Sequence, residues 1–235
     1  MIDEADRNRL VAAVQRDWEV EVQGRAFRTI CAGKERGHRI ADFAEERTVE
    51  IIEREGFDVA FELSGNGTRR ARSMGDVWLR SGEPPILNPI NVKAGIGGVG
   101  GQPNMVSLTK LTEKILAHEI DSYWLLLIRL DETDGDFHPA VRLVNILDYL
   151  DYMHFDSGPG QIMLRSDGFY AYLNNGGQPA YLGLQETVDK LLDLRRDGNR
   201  RLTINRETRL RQLEVTAWNF DASRSVEQSQ IRFGT

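Results

Sequence analysis

Apolar residues recur every three or four positions through residues 4–22, where Leu10, Val11, Val14 and Trp18 would share one side of a helix. The same period returns over residues 40–55, with Ile40, Phe43, Val49 and Ile52 in step and Gly56 as a stop signal. Beyond Gly56 the period shortens to two. "FDVAFEL" (57–63) alternates as a strand, "SGNGT" turns, and "GDVWLR" (75–80) reads as another strand. "SGEPP" makes a hairpin-type connection into the strand "ILNPINVK" (86–93), and a glycine-rich loop follows. Residues 104–119 read as a helix, and "SYWLLLIRLD" (122–131) as an apolar strand of the kind found inside a sheet. "AVRLVNILDYL" (140–150) reads as a short helix, "GQIMLR" and "FYAYL" as strands, and "LQETVDKLLDLRRD" and "RETRLRQLEVTAW" as closing helices. No repeat, low-complexity tract or linker interrupts this succession. It predicts one α/β domain over residues 1–235, a central mixed sheet flanked by helices.

Composition removes several classes of function. The longest apolar run, Tyr123 to Ile128, is strand-sized, so no membrane span is expected. The charged N-terminus "MIDEADRNRL" lacks a signal-peptide core, which makes a cytoplasmic location the expectation. Cys31 stands alone, so neither a disulfide framework nor a cysteine-rich zinc site is available. The four histidines are scattered, and no serine lies in a G-x-S-x-G elbow. The net charge of −6 does not by itself point to nucleic acid, but its distribution does. Residues 194–211 hold seven arginines against Asp197 and Glu207, and Arg69, Arg70 and Arg72 cluster just ahead of Asp76. Arginine presents the planar fork that matches phosphate oxygens.

The stretch "NPINVKAGIGGVGGQP" (88–103) sets two chemistries against each other. Gly95, Gly97 and Gly100 satisfy the spacing of a dinucleotide-binding loop. That fold needs a helix to begin at the third glycine, so that its N-terminus meets the pyrophosphate. Here Gly101 to Asn104 intervene, Pro103 among them, and no lysine-serine pair of a P-loop follows. The alternative is phosphodiester hydrolysis, which needs acidic or oxygen ligands for Mg²⁺ and a basic group beside the attacking water. A hairpin supplies both, because side chains two residues apart share one face of a strand. Asp76 opens "DVWL", and fifteen residues later Asn91 and Lys93 share a face while Val92 turns into the core.

"GDVWL" followed by a turn and "NPINVKA" resembles the bipartite motif of the PD-(D/E)xK nuclease superfamily, in particular type II restriction endonucleases. The helix "FAEERTVEII" is similar to the family helix that donates a further acid, here Glu46 or, one turn on, Glu50. The order of elements over residues 40–170 also resembles the family's. There are two departures. Asn91 stands where an acid usually precedes the lysine, and Gly75 stands where proline is common.

The resemblance implies a restriction-endonuclease-like sheet flanked by helices, with Asp76, Asn91, Lys93 and Glu46 catalytic. Asp76, Asn91 and Glu46 would hold Mg²⁺. It also implies a homodimer acting on double-stranded DNA, with the two-fold axis of protein and site coincident. Gln102 and Asn104 are the amides suited to reading adenine edges. Arg69, Arg70, Arg200 and Arg201 are suited to phosphate contact. Two other readings stay open: a repair or nicking nuclease of the same superfamily, and a non-catalytic DNA-binding protein with this fold, for which Asn91 is the main support.

Overall fold

Helix α1 (Glu4–Glu21) begins where the Asp3 side chain accepts the Asp6 amide at 2.7 Å, the usual way of satisfying a free N–H of a first turn. It buries Leu10, Ala13, Val14 and Trp18. Helices α2 (Arg25–Cys31) and α3 (Arg36–Arg54) follow, and Phe27 of α2 meets the Trp18, Phe43 and Phe137 rings at centroid separations of 5.4 to 6.2 Å. The stripe that α3 buries is Ile40, Ala44, Thr48, Ile51 and Ile52. The computed structural model describes residues 2–32, 35–60, 74–82, 85–97, 104–156 and 158–233. None of its helices is long and apolar enough to cross a membrane.

The first three helices cover one face of a five-stranded mixed sheet. Its order is β1 (Val59–Ala60), β2 (Val77–Ser81), β3 (Ile86–Ile96), β5 (Trp124–Thr133) and β6 (Asp136–Asn145). Neighbours run antiparallel except β3 and β5, which are parallel. Pro89 has no N–H to give. It sits just before Ile90, the first residue of β3 registered with β5, where the missing donor disturbs the ladder least. The edge strand β6 is blunted by α1: Gln15 accepts the Val141 amide at 3.0 Å and donates to the Pro139 carbonyl at 2.8 Å.

The even positions of β3 (Ile90, Val92, Ala94) join Val77, Leu79, Leu126 and Ile128 in the core beneath α1–α3. The odd positions face the other way. There a second core, with Trp78, Tyr123, Leu125 and Leu127 in it, packs against α4 (Leu108–Leu116), α5 (Ser166–Asn174) and the start of α6 (Leu184–Phe233). A small antiparallel sheet completes this layer, in the order β4 (Asn104–Ser107), β8 (Gln161–Leu164), β7 (Met153–Asp156). The result is the expected α/β architecture, with a central mixed sheet between two helical layers.

Three expected elements differ. Residues 140–150 are not a helix: Val141 to Asn145 pair with Trp124 to Ile128, and only Ile146–Tyr152 coil, as a 3₁₀ turn. The strand is imposed by a tight turn in which Asp134 (φ 54°) and Gly135 (φ 84°) are both left-handed, the geometry that matches strand twist. Residues 104–107 extend along β8, and the helix starts only after Ser107, whose hydroxyl accepts the Lys110 amide. "FYAYL" lies in α5, where Phe169 is fully buried and stacks edge-on with Tyr149 at 5.3 Å. Packing of this aromatic face outweighs the strand propensity of its residues.

Candidate active site

Val77 pairs with Ile90, so continuing the antiparallel register by one residue places Asp76 beside Asn91. Asp76 grips that neighbour from both sides. Its amide donates to the Ile90 carbonyl at 2.8 Å, and its Oδ2 accepts the Val92 amide at 2.6 Å. The close approach depends on Gly75, where a Cβ would lie 2.9 Å from the Ile90 nitrogen and 3.0 Å from the Ile90 and Val77 oxygens. A proline or any side chain at this position would displace the backbone that positions Asp76, which is the physical reason for a glycine there.

Asn91 is 6 % exposed, and its Oδ1 has no hydrogen-bond partner. An orphaned buried oxygen is uncommon and costs free energy unless water or an ion meets it. Beneath it lies Tyr123, fully buried, with its hydroxyl 2.7 Å from the Met74 carbonyl and 3.3 Å from that of Met105. One phenol therefore ties the segment entering Asp76 to the segment following the glycine loop. Burial pushes the Tyr123 phenol well above its usual range and the Asp76 charge adds to this, while a hydrogen bond from Asn91 works the other way. The phenol stays protonated and acts as a fixed donor.

Lys93 shares the Asn91 face and is half-buried beside Leu127 in the parallel register. Among the described residues its ammonium forms no ion pair. On the next two strands the same face carries charges that no sequence motif marks. Gly95 registers with Arg129, and Leu127 with Arg142. Arg129 and Arg142 line a cleft of about 230 Å³ together with Asp131, Tyr170 and Asn174. Arg142 donates to Asn174 at 3.0 Å, and Arg129 pairs with Asp131 at 2.7 Å. Lys93 and Arg142 thus flank Leu127 at the middle of the parallel register, and Arg129 lies two residues further toward its C-terminal end.

Glu46 is not brought to this group. Helix α3 packs its stripe against the even face of β3, opposite to Asn91 and Lys93, and at about 100° per residue Glu46 falls on the outward side of the helix. Glu46 is exposed, and Glu50 is exposed and engaged by Arg47 at 2.5 Å. Glu45, half-buried at the flank of the stripe, is the acid of this helix nearest the sheet layer. Among the described residues no group of three His, Cys, Asp or Glu side chains could hold a metal.

Arg69, Arg70 and Gln102 lie outside the described residues. Asn104 opens β4 directly after the glycine loop, and only its backbone is described. Arg200 is exposed on α6, whereas Arg201 turns toward β7, with its guanidinium 3.5 Å from the Phe155 carbonyl. The dinucleotide alternative needs a helix that runs on from Gly100, but residues 104–107 are a strand and α4 begins only at Leu108.

No protein-family model matches the chain, and no curated protein matches it.

Proposed function

We propose that the protein is a Mg²⁺-dependent type II restriction endonuclease of the PD-(D/E)xK kind, acting in the cytoplasm as a homodimer on duplex DNA at a short sequence. The observation that carries this reading is the buried, unpartnered Asn91 Oδ1 beside Asp76, with Lys93 two residues along the same strand face. An oxygen in that state is what a hard cation would satisfy, and Mg²⁺ is commonly held by one or two protein oxygens together with water and substrate phosphate. Asp76 and Asn91 are the residues that would hold it; Glu46 has no part in this proposal. The ion, when bound, supplies charge for the scissile phosphate and a more acidic water.

The chain's own residues account for the rest. Lys93 places a positive charge where negative charge gathers on the phosphate as the P–O bond to the leaving oxygen breaks. Arg129 and Arg142 continue that charge across the sheet and suit a neighbouring backbone phosphate. Tyr123 holds the segments carrying Met74 and Met105 in register, so the hairpin and the glycine-loop exit stay fixed relative to each other. Gln102 and Asn104, on that exit, are the proposed readers of base edges. The exposed arginines of α6, Arg200 among them, suit salt-dependent phosphate contact.

Incubation of the protein with phage DNA and Mg²⁺ tests the proposal. Discrete fragments that vanish with EDTA are expected. Nicked circles from plasmid DNA would instead favour a repair or nicking nuclease. A second reading, a non-catalytic DNA-binding protein, is favoured by one specific feature: Asp76 is the one carboxylate placed on this hairpin face among the described residues. Sequence-selective binding without cleavage in any divalent metal would establish it.

A further inference from the structure

We propose that the outer face of the small sheet holds a further backbone phosphate of the DNA, gripped by Arg165 and Arg201 with His154 between them. The inference rests on the DNA-binding part of the reading above and extends the contact beyond the hairpin. The small sheet has two unlike faces. Met153, Phe155, Ile162 and Leu164 are buried in the second core, while the alternate positions His154, Asp156, Gln161 and Met163 are only partly covered. Met163 registers with His154 on one side and with Asn104 on the other, and Gln161 registers with Asp156. His154 and Gln161 are therefore diagonal neighbours on one face, about 7–8 Å apart.

Two buried polar atoms on this face, His154 Nδ1 and Gln161 Oε1, have no hydrogen-bond partner, a state that native proteins keep rare. Charge is the second observation. Arg165 directly follows β8, and Arg201 reaches the same strands from α6, one turn beyond Gly198. Gly198 is what lets the helix come so close, since a Cβ there would lie 2.6 Å from the Phe155 ring and carbonyl oxygen. Burial lowers the His154 pKa, and the charges of Arg165 and then Arg201 lower it further against Asp156, so both guanidiniums lie within electrostatic reach of the ring. Both are exposed, and among the described residues neither is paired with a carboxylate; Arg201 has only the 3.5 Å contact with the Phe155 carbonyl. Asp156 is occupied with the Gly158 amide at 2.9 Å, so two arginines against one carboxylate leave the face positive, which suits an anion rather than a metal ion. Two guanidiniums, and an imidazole in the tautomer with its proton on Nδ1, are donors short of an acceptor, and the two free oxygens of a phosphodiester supply it. Gln161 Oε1 lacks a donor instead, which the exocyclic amino group of a base provides. The position fits one DNA footprint. Strand β7 is two strand spacings, about 10 Å, from β4, and Tyr123 ties β4 to the segment entering Asp76. That separation is about three base-pair steps of 3.4 Å.

The test uses the full-length chain and a labelled phage-DNA fragment, with Ca²⁺ in place of Mg²⁺, in anisotropy titrations between about 50 and 200 mM salt. The double variant Arg165→Gln/Arg201→Gln should flatten the slope of log K against log salt by about 0.9, the share of one phosphate, and weaken binding roughly tenfold near 0.1 M salt. Its melting temperature should match that of the wild type, since both side chains are exposed. Arg25→Gln, at an exposed position on α2 in the other helical layer, controls for lost charge and should leave the slope as it is. An unaltered slope in the double variant, or equal flattening by Arg25→Gln, would overturn this inference and leave the nuclease reading standing. Calorimetric binding of inorganic phosphate, with the DNA slope unaltered in the double variant, would make this a site for free phosphate and overturn the DNA assignment. A wild-type protein that does not bind the fragment would overturn both readings together.

Discussion

The Asp76 carboxylate accepts the Val92 amide at 2.6 Å, so the residue that opens one strand completes the hydrogen-bond ladder of the next. This gives Asp76 a structural role alongside the proposed catalytic one, and substitutions separate the two. Asp76→Ala should leave a buried amide unsatisfied and cost about 1–3 kcal/mol in urea denaturation. Asp76→Asn keeps an acceptor oxygen and should retain most of that stability while removing cleavage. Full activity in the Asn variant would place the metal elsewhere.

Lys93 is on the same face but holds no strand together, so its loss should affect chemistry alone. Lys93→Ala is expected to abolish cleavage of phage DNA, leave specific binding within about tenfold and keep the wild-type melting temperature. Cleavage near the wild-type rate would remove Lys93 from the active site.

Gly75 is required by space rather than by φ. Gly75→Ala drives a Cβ to within 2.9 Å of the Ile90 nitrogen, and the strain should destabilise the fold by about 1–3 kcal/mol. Because the displaced backbone carries Asp76, cleavage should fall further than stability predicts. Denaturation and single-turnover rates on the same preparation give both numbers.

Asn91→Asp places a second carboxylate next to Asp76 in a buried position. Without metal the two charges repel, so the melting temperature in EDTA should drop below wild type. Mg²⁺ should then raise it more than it raises wild type, because binding to the folded state stabilises by mass action. Identical melting of both proteins across a Mg²⁺ titration would show that Asn91 lies outside the coordination shell.

His154 on β7 provides a pH dependence. Burial, then the Arg165 and Arg201 charges, lower its pKa from the usual 6.5, against a smaller opposing effect of Asp156. The unfolded chain therefore takes up this proton more readily than the folded one. Stability from this residue is present above about pH 6.5 and lost as the pH falls through the lowered folded value. His154→Gln should flatten the acid limb of a stability–pH curve between pH 7 and 5, measured by urea midpoints at fixed salt, roughly as the linkage relation requires. An unchanged slope would mean that other groups govern that limb.

Much of the site is local and was therefore legible in the amino-acid sequence. Asp76, Asn91 and Lys93 share a face because two short strands alternate with period two and a tight connection joins them, and "GDVWL" and "NPINVKA" state both facts. The helices Glu4–Glu21 and Arg36–Arg54 were visible for the same reason, as periodic apolar residues followed by stop signals. The rotation of the second helix was not. Its buried stripe includes Ala44 and Thr48, a small and a polar residue that hydrophobicity does not mark, and this turns Glu46 outward and leaves Glu45 on the flank.

Only the tertiary structure decided which distant segments pair. Residues 104–107 and 140–145 are extended because β8 and β5 offer them hydrogen bonds, a choice their own side chains do not encode. The Asp134–Gly135 turn was the one local cue to the second pairing. That pairing sets Arg142 across from Leu127, next to Lys93, and so builds a row of positive charge from residues far apart in the chain. The Tyr123 contact with Met74 and Met105 and the approach of Arg201 to β7 arise in the same way. Sequence period specifies which face a side chain takes on its own element; which groups then face each other depends on register and packing between elements, and those are settled only when the whole core is assembled.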